Sequence, residues 1–313
     1  MKELELYFHI PFCERKCAYC DFLSAPADPP VRISYIKKLQ EEIAYYGPQF
    51  KEYQVSSIFF GGGTPTILEG YQLAAILETV KKYFHLVADA EITVECNPGT
   101  LTAGKAEKLV QAGFNRLSMG LQSADDRELQ LLGRIHNFAQ FLESYDLARK
   151  AGFENINVDL MSALPGQTLK SWQNTLQKVT ALRPEHISAY SLIIEEGTPF
   201  YERFAEDEQI REEGGHPRLL PEEDVERQMY ELTEAFLHTK GYERYEISNY
   251  AKPGYECRHN CGYWTRKDYH WTGTWRIFIS GTSKVSEHVE SEGIFGTGIH
   301  FSRSDLFESE GNG

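Results

Sequence analysis

The chain has 313 residues, of which 41% are hydrophobic and 25% charged, a composition typical of a soluble globular protein. Its formal net charge of −14 argues against a general nucleic-acid binder, because phosphate binding requires a basic face. The sequence has no apolar run of the roughly 20 residues that span a bilayer, and its first residues lack the pattern of a signal peptide. We therefore expect a cytoplasmic protein without a transmembrane segment.

Strand-like and helix-like segments alternate along the chain. Short segments rich in β-branched and aromatic residues predict six strands, at Leu4–Ile10, Val55–Phe60, Glu91–Cys96, Asn115–Met119, Asn155–Leu160 and His186–Ser191. Helix-length patterns lie near Ser34–Tyr46, Tyr71–Phe84, Ala103–Ala112, Asp125–Leu132, Phe138–Ala151 and Ser171–Leu182. Six βα units imply a parallel sheet with right-handed crossovers, and six are too few for a closed eightfold barrel. The sequence thus predicts an α/β fold, a partial (β/α)6 barrel over residues 1–192 with a C-terminal α+β extension.

Three cysteines, Cys13, Cys17 and Cys20, follow the first predicted strand in a Cys-x3-Cys-x2-Cys run. Three thiolates on one loop can bind three irons of a four-iron cluster and leave the fourth iron open. A structural zinc site would instead require four ligands at short spacing. The alternative is three thiols without a role in a reducing compartment. We predict a [4Fe–4S] cluster on these three cysteines.

Other candidate positions fall where predicted strands end. Gly61-Gly-Gly-Thr-Pro65 follows the second strand, and its glycines would allow the backbone to approach a ligand closely. Glu95 ends the third strand, Gln122 follows the fourth and Asp159 ends the fifth. Chemistry in such barrels collects at the carboxyl ends of the strands, so the sequence predicts one site at this edge.

The cysteine spacing resembles the cluster loop of the radical S-adenosylmethionine (SAM) superfamily. The stretches Tyr7-Phe-His-Ile-Pro-Phe-Cys13 and Gly61–Pro65 are similar to the branch that contains oxygen-independent coproporphyrinogen III oxidase and the heme chaperone HemW. The likeness runs from about Leu4 to Tyr269. It implies a partial barrel, SAM at the open iron, and reductive cleavage of SAM to a 5′-deoxyadenosyl radical with an electron donor such as flavodoxin or ferredoxin. By this resemblance the SAM-binding positions are Tyr7, Tyr19, Gly62, Gly63, Thr64, Glu95, Gln122, Arg134 and Asp159, the last on the ribose.

Two features favour the chaperone over the oxidase. Phe22 stands where the oxidase pattern has a fourth cysteine, and only twelve residues precede Cys13, where the oxidase has an N-terminal arm. The resemblance then implies a carrier that binds heme and passes it to heme-accepting proteins. The alternatives are the oxidase reaction itself, from coproporphyrinogen III to protoporphyrinogen IX, and a radical SAM enzyme acting on another substrate.

The segment Glu256–Trp264 matches the His-Asn-x-x-Tyr-Trp signature of the heme chaperone group. Imidazole is a good axial ligand for heme iron, so we predict that His259 binds heme while Tyr263 and Trp264 pack on the porphyrin. The alternatives are that this stretch merely caps the barrel, or that Cys257 and Cys261 belong to a second metal site.

The last third of the chain divides into two predicted parts. Residues 193–269 form an acidic helical excursion followed by the signature, with 14 acidic residues against four arginines between Glu195 and Glu234. Residues 270–313 lack regular periodicity, and codons can be chosen for Trp271–Phe278 that encode a glycine-rich segment one base later. We predict a change of reading frame near Tyr269 and an aberrant, disordered tail; a genuine divergent tail is the alternative.

Overall fold

The structure, a computed structural model, describes residues 2–265, 267–272, 276–280 and 283–287, with side chains up to residue 270. The strands of this part are β1 (Lys2–Ile10), β2 (Tyr53–Gly62), β3 (Leu86–Cys96), β4 (Arg116–Gln122), β5 (Asn155–Ser162), β6 (His186–Ser191), β7 (Glu243–Arg244), β8 (Asn249–Ala251), β9 (Asp268–Thr272), β10 (Arg276–Ser280) and β11 (Ser283–Glu287). The α-helices are α1 (Pro29–Tyr46), α2 (Gly70–Tyr83), α3 (Ala103–Ala112), α4 (Asp126–Leu131), α5 (Phe138–Ala151), α6 (Leu169–Ala181), α7 (Pro199–Glu212), α8 (Glu223–Thr239) and α9 (Arg258–Thr265).

The described strands form one sheet in the order β11-β10-β9-β1-β2-β3-β4-β5-β6-β8-β7. Strands β1 to β6 are neighbours in chain order and all pair in parallel. Strand β9 adds to the outer edge of β1 in parallel, whereas β8 pairs antiparallel with β6. The prediction of an α/β fold with six parallel βα units and a C-terminal extension is confirmed.

Strand β1 shows how the two faces of the barrel differ. Leu4, Leu6 and Phe8 are fully buried in the apolar core that the sheet shares with its helices. The alternate residues, Glu5, Tyr7 and His9 in β1, face the interior, because successive side chains in a strand point to opposite sides. The parallel neighbours continue this inner face with polar groups. The barrel is therefore apolar outside the sheet and polar within it.

Helix ends follow the expected chemistry with some shifts in position. Gly113 and Gly152 both adopt φ 105° after α3 and α5, which confirms the predicted left-handed caps. Helix α1 begins at Pro29, five residues before the predicted Ser34, because proline fits the first turn of a helix, where no amide donor is needed. Strand β3 begins at Leu86 rather than Glu91, since Leu86 already pairs with Val55.

The acidic segment contains α7 and α8. Helix α8 packs on α6, where Trp172 Nε1 donates to Thr233 Oγ1 at 2.8 Å. Many acidic side chains of α7 and α8 pair with arginine, as Arg211 does with Glu208 and Glu226. The excess charge is therefore partly neutralised on the surface of the helices.

Of the predicted aberrant tail, the structure describes the side chain of His270 and the backbone of residues 270–272 in β9, of β10 and of β11. Residues 273–275, 281–282 and 288–313 lie outside the described residues. The predicted change of reading frame stays a prediction. Among the described residues, none of the helices combines the length and apolar character that crossing a bilayer requires.

Glu5 lies on the inner face of β1 and is 1% exposed. Its carboxylate packs against Gly262 of α9 and leaves no room for a Cβ atom on that residue. Burial raises the pKa of Glu5 to about 8, although Lys267 and Ser57 oppose the shift. The folded chain thus keeps a proton that the unfolded chain loses near its ordinary pKa of 4.5. Stability should fall as the pH rises through this window.

We expect Glu5→Gln to remove this loss, so that the variant unfolds at a higher temperature than wild type at pH 8 and at the same temperature near pH 4. The difference at pH 8 should be on the order of 2 kcal/mol. Thermal unfolding followed by circular dichroism measures it. Glu107→Gln, at an exposed position of α3 away from Glu5, is the matched control. Parallel pH profiles of wild type and Glu5→Gln would contradict the expectation.

Candidate functional site

The three predicted cluster cysteines lie on a loop that leaves the carboxyl end of β1. The base of the loop is closed by two backbone hydrogen bonds, from Cys13 N to Ala25 O at 3.1 Å and from Ala25 N to Pro11 O at 3.0 Å. In its middle, Ala18 N donates to Leu132 O at 3.1 Å. All three thiols are free and half-buried. The loop is thus fixed at both ends and in the middle, with its thiols still accessible.

The glycine-rich loop after β2 packs on the start of the cysteine loop. Gly63 N donates to Ile10 O at 2.9 Å and Thr64 N to Phe12 O at 2.7 Å. Thr64 Oγ1 lies 3.5 Å from Cys13 Sγ. A Cβ on Gly63 would lie 2.6 Å from Phe12 O, so the glycine is required by the chain's own backbone. The two loops therefore form one unit.

Arg134 joins the cysteine loop to the ends of β3 and β4. Its Nη1 donates to Cys17 Sγ at 3.6 Å, and its Nη2 donates to Gly120 O at 2.5 Å and to Asn97 Oδ1. Its Nε has no hydrogen-bond partner among the described residues. The guanidinium thus has a buried donor left for a further acceptor.

Two carboxylates lie on β3 and β5, on either side of β4: Glu95 next to the end of β3, and Asp159 three residues before the end of β5. Glu95 Oε2 accepts from Gly62 N at 3.2 Å, while Asp159 accepts from Asn157 Nδ2 at 2.6 Å and Ser118 Oγ at 3.3 Å. Burial raises the pKa of Glu95 to about 8, and the charge of Asp159 adds to this shift. Burial also raises the pKa of Asp159, against the hydrogen bonds it receives. Both would be more readily ionised next to a cation.

Three further predicted positions complete this edge of the barrel. Gln122 sits at φ 76° and its Oε1 accepts from Tyr190 Oη at 2.8 Å. Tyr7 stacks on Phe59 with ring centroids 5.9 Å apart. Tyr19, in the cysteine loop, has its ring centroid 6.4 Å from that of Phe200. The predicted SAM-binding residues therefore lie in or just after the carboxyl-terminal halves of β1 to β5, on the cysteine loop and, for Arg134, on the segment after α4.

His259 lies beside this edge, with its ring centroid 6.4 Å from that of Tyr7. It is 6% exposed, inside the barrel, with Nδ1 2.9 Å from Ser57 Oγ and its ring 5.2 Å from that of Phe59. Burial lowers the pKa of His259 to about 3, so the ring is neutral. On the same helix, Tyr263 and Trp264 are 61% and 60% exposed. The signature thus turns its histidine inward and its aromatic rings outward.

Sequence reasoning missed several residues that support the site. His9 Nε2 lies 2.9 Å from Leu23 O and holds the end of the cysteine loop. Lys105, buried, donates to Thr66 O at 2.7 Å and Thr100 O at 3.1 Å, beneath the glycine-rich loop. His9 lies within the Tyr7–Cys13 stretch that resembles the family, so the motif could have drawn attention to it. The sequence around Lys105 gives no such signal, because its spacing is that of any surface lysine in a helix.

The three free, half-buried thiols of the cysteine loop can each bind one iron of a four-iron cluster. Among the described residues, no three His, Cys, Asp or Glu side chains converge so as to hold one metal ion. A four-iron cluster does not require side chains that converge on one position, because each cysteine binds a different iron. The spare Nε of Arg134 and the raised pKa of Glu95 also suit a ligand that carries both a carboxylate and cationic groups.

Comparison with known proteins identifies the family. Residues 7–179 match the Radical SAM superfamily. The chain is 40% identical over 272 residues to the heme chaperone HemW of Escherichia coli (strain K12), covering 85% of this chain and 67% of that protein. It is 38% identical over 288 residues to HemW of Bacillus subtilis (strain 168), covering 90% of this chain and 72% of the relative. The chain belongs to the HemW family of radical SAM proteins.

A solved structure supports the radical SAM fold. Coproporphyrinogen III oxidase (HemN) from Escherichia coli, described as a radical SAM enzyme, superposes with a TM-score of 0.77 and 27% identity, over 92% of this chain and 67% of that chain. Membership in the superfamily implies a [4Fe–4S] cluster and SAM. On this chain the groups available to hold them are the three loop thiols and the polar strand ends described above.

We expect the cluster to depend on Cys13, Cys17 and Cys20 alone. Replacing any of them by alanine should abolish the charge-transfer absorbance of the anaerobically reconstituted protein and reduce its iron and sulfide content. Cys96→Ala is the matched control, because that thiol is buried at the end of β3 and burial raises its pKa to about 11. Loss of the absorbance in the Cys96 variant would show that the ligands are wrong.

SAM affinity should fall in Asp159→Ala and Arg134→Ala. Each change removes hydrogen bonds to a charged group, which contribute roughly 1.5–3 kcal/mol. Calorimetric titration of the cluster-loaded protein with SAM measures the effect. Arg15→Ala is the control, since the exposed Arg15 side chain donates to Gly133 O at 2.7 Å, in the segment that carries Arg134. Unchanged affinity in both test variants would reject the site.

Proposed function

We propose that this chain is a heme chaperone that binds heme and transfers it to acceptor hemoproteins, and that it carries a [4Fe–4S] cluster and SAM. The observation that carries the proposal is its 38–40% identity to HemW proteins over most of the chain. The convergence of the cysteine loop, the glycine-rich loop, Arg134, Glu95 and Asp159 on one barrel edge supports the cofactor site. Free thiols rather than disulfides in the described chain fit a reducing cytoplasm.

The residues of the site have separate tasks in this proposal. The three loop thiolates hold the cluster, while Glu95 and the glycine-rich loop bind the amino group of SAM and Asp159 binds its ribose. Arg134 presents its spare Nε from a position already fixed by Cys17 and Gly120. Where SAM is cleaved, an electron donor such as flavodoxin or ferredoxin reduces the cluster.

Helix α9 offers two kinds of group to heme. Tyr263 and Trp264 are exposed and can lie on a porphyrin face without rearrangement. His259, proposed as the axial ligand, has an Nε2 without a hydrogen-bond partner among the described residues, but its ring is buried beside Ser57. Ligation by His259 therefore requires α9 to move away from β2.

The oxidase reaction is the second candidate, because the solved structure of the oxidase HemN is similar to this chain. Phe22, which replaces the fourth cysteine of the oxidase pattern, is 70% exposed beside the cysteine loop. The oxidase chemistry would act on coproporphyrinogen III at the same barrel edge.

One experiment separates the two functions. Cluster-loaded protein is incubated anaerobically with SAM, reductant and coproporphyrinogen III, and the same sample is titrated with heme and then mixed with apomyoglobin. We expect no protoporphyrinogen IX, a Soret band on titration, and heme transfer to apomyoglobin. Turnover to protoporphyrinogen IX would contradict the chaperone function.

Variants of α9 then locate the heme. Paired replacement of Tyr263 and Trp264 by Ser should weaken heme binding about tenfold or more, because base or porphyrin stacking on exposed aromatics contributes roughly 1–3 kcal/mol per ring. His259→Ala should shift the Soret band if the imidazole binds iron. Tyr255→Ser, an exposed tyrosine ahead of the helix, is the control. An unchanged spectrum in His259→Ala places the axial ligand elsewhere.

A further inference from the structure

A chain of hydrogen bonds crosses the barrel interior from Asp159 towards α9. Asn157 Nδ2 donates to Asp159 Oδ1 at 2.6 Å, and Asn157 Oδ1 lies 2.6 Å from His186 Nδ1. His186 Nε2 lies 2.7 Å from Tyr245 Oη. The backbone N–H of Cys257, the residue before α9, donates to the same hydroxyl at 3.3 Å. Asn157, His186 and Cys257 are all buried.

The chemistry of these groups fixes the direction of each bond. Asn157 uses its amide hydrogens on Asp159 and on Ser118 Oγ, 2.8 Å away, so its Oδ1 accepts from His186. Nδ1 of His186 therefore carries the proton, and since burial holds the pKa of the ring well below its usual value, Nε2 is an acceptor. Tyr245 donates to it and accepts from Cys257. Every donor thus points toward the Asp159 carboxylate.

The far end of the chain meets the start of the signature helix. Glu91 accepts there from the backbone N–H groups of Arg258 at 3.1 Å and His259 at 3.3 Å, and from Cys257 Sγ at 3.3 Å. Asn260 Nδ2 also reaches Tyr245 Oη at 3.5 Å. Glu91 and Tyr245 therefore hold the first turn of α9 together, and among the described residues the chain of hydrogen bonds from that turn to Asp159 passes through Tyr245.

We propose that His186 and Tyr245 are positioning residues that fix the Asp159 carboxylate and tie it to the first turn of α9. This inference rests on the proposed SAM site. Hydrogen bonds in a buried chain with one direction polarise and strengthen one another. A ligand that binds Asp159 therefore stabilises the first turn of α9, and the coupling is reciprocal. SAM occupancy and the helix that carries the heme signature are linked through the barrel interior.

The test measures two quantities on the cluster-loaded protein, the Kd for SAM by calorimetry and hydrogen exchange of residues 257–265 with and without SAM. In the wild type we expect SAM to slow exchange in this segment. Tyr245→Phe removes one hydroxyl, and it should leave the Kd within about threefold while abolishing the slowing.

Variants of His186 separate the two halves of the chain. His186→Phe should weaken SAM about tenfold, because Asn157 Oδ1 loses its nearest donor. An asparagine amide can take the place of Nδ1 but cannot reach Tyr245. His186→Asn should therefore restore the Kd to within about threefold of wild type, yet still show no slowing in α9.

Thr233→Val is the matched control, because it also deletes a buried hydrogen bond, to Trp172, outside the barrel interior. It should lower the melting temperature without changing the Kd or the SAM-dependent exchange. Wild-type protein that binds SAM without slower exchange in α9, or Tyr245→Phe that keeps the slowing, would overturn this inference alone. Wild-type protein that does not bind SAM would overturn the proposed site itself.

Discussion

The parallel register of β1 to β6 is the constraint on which the rest of the structure depends. Because each strand leaves the sheet at the same edge, groups more than a hundred residues apart meet there, as Cys17 and Arg134 do at 3.6 Å. The helices on the outer face fix this register through a largely apolar core. A slip of one residue would exchange the apolar outer face for the polar inner face on an entire strand. The site is therefore as well defined as the core packing that aligns the strands.

The polar interior imposes a second condition, since buried polar groups are stable only when paired. Most of the interior is paired within the barrel, and the hydrogen bonds run between strands as well as along them. Glu91, for example, accepts from the start of α9, while Asn157 bonds to groups of β4, β5 and β6. The C-terminal extension thus completes the interior of the barrel. Without α9, the carboxylates of Glu5 and Glu91 would face an unfilled space.

The fold and the site differ in how far the sequence determines them. The periods of the strands and helices, with Gly113 and Gly152 at helix ends, were enough to predict the parallel sheet. The candidate site residues were predicted from family motifs. The inward direction of His259 could not be read from its motif, because a signature records residue types and not the face of the helix they occupy. Supporting residues such as Lys105, Asn157 and His186 were also missed. Their role depends on a partner that is close only in the folded chain.

The contrast between the thiols has a practical consequence for handling the protein. Cys96 and Cys257 are buried, and burial raises the pKa of both thiols, so they are protonated and shielded from reagents. The three loop cysteines are half-buried on an accessible loop. Alkylation with iodoacetamide after the cluster is lost should therefore label the half-buried thiols, which are the loop cysteines and Cys261, and the two buried thiols only on unfolding. Cys20 should react slowly among the loop cysteines, because burial raises its pKa to about 11. The pattern of labelled peptides gives a direct measure of whether a preparation has lost its cluster or its fold.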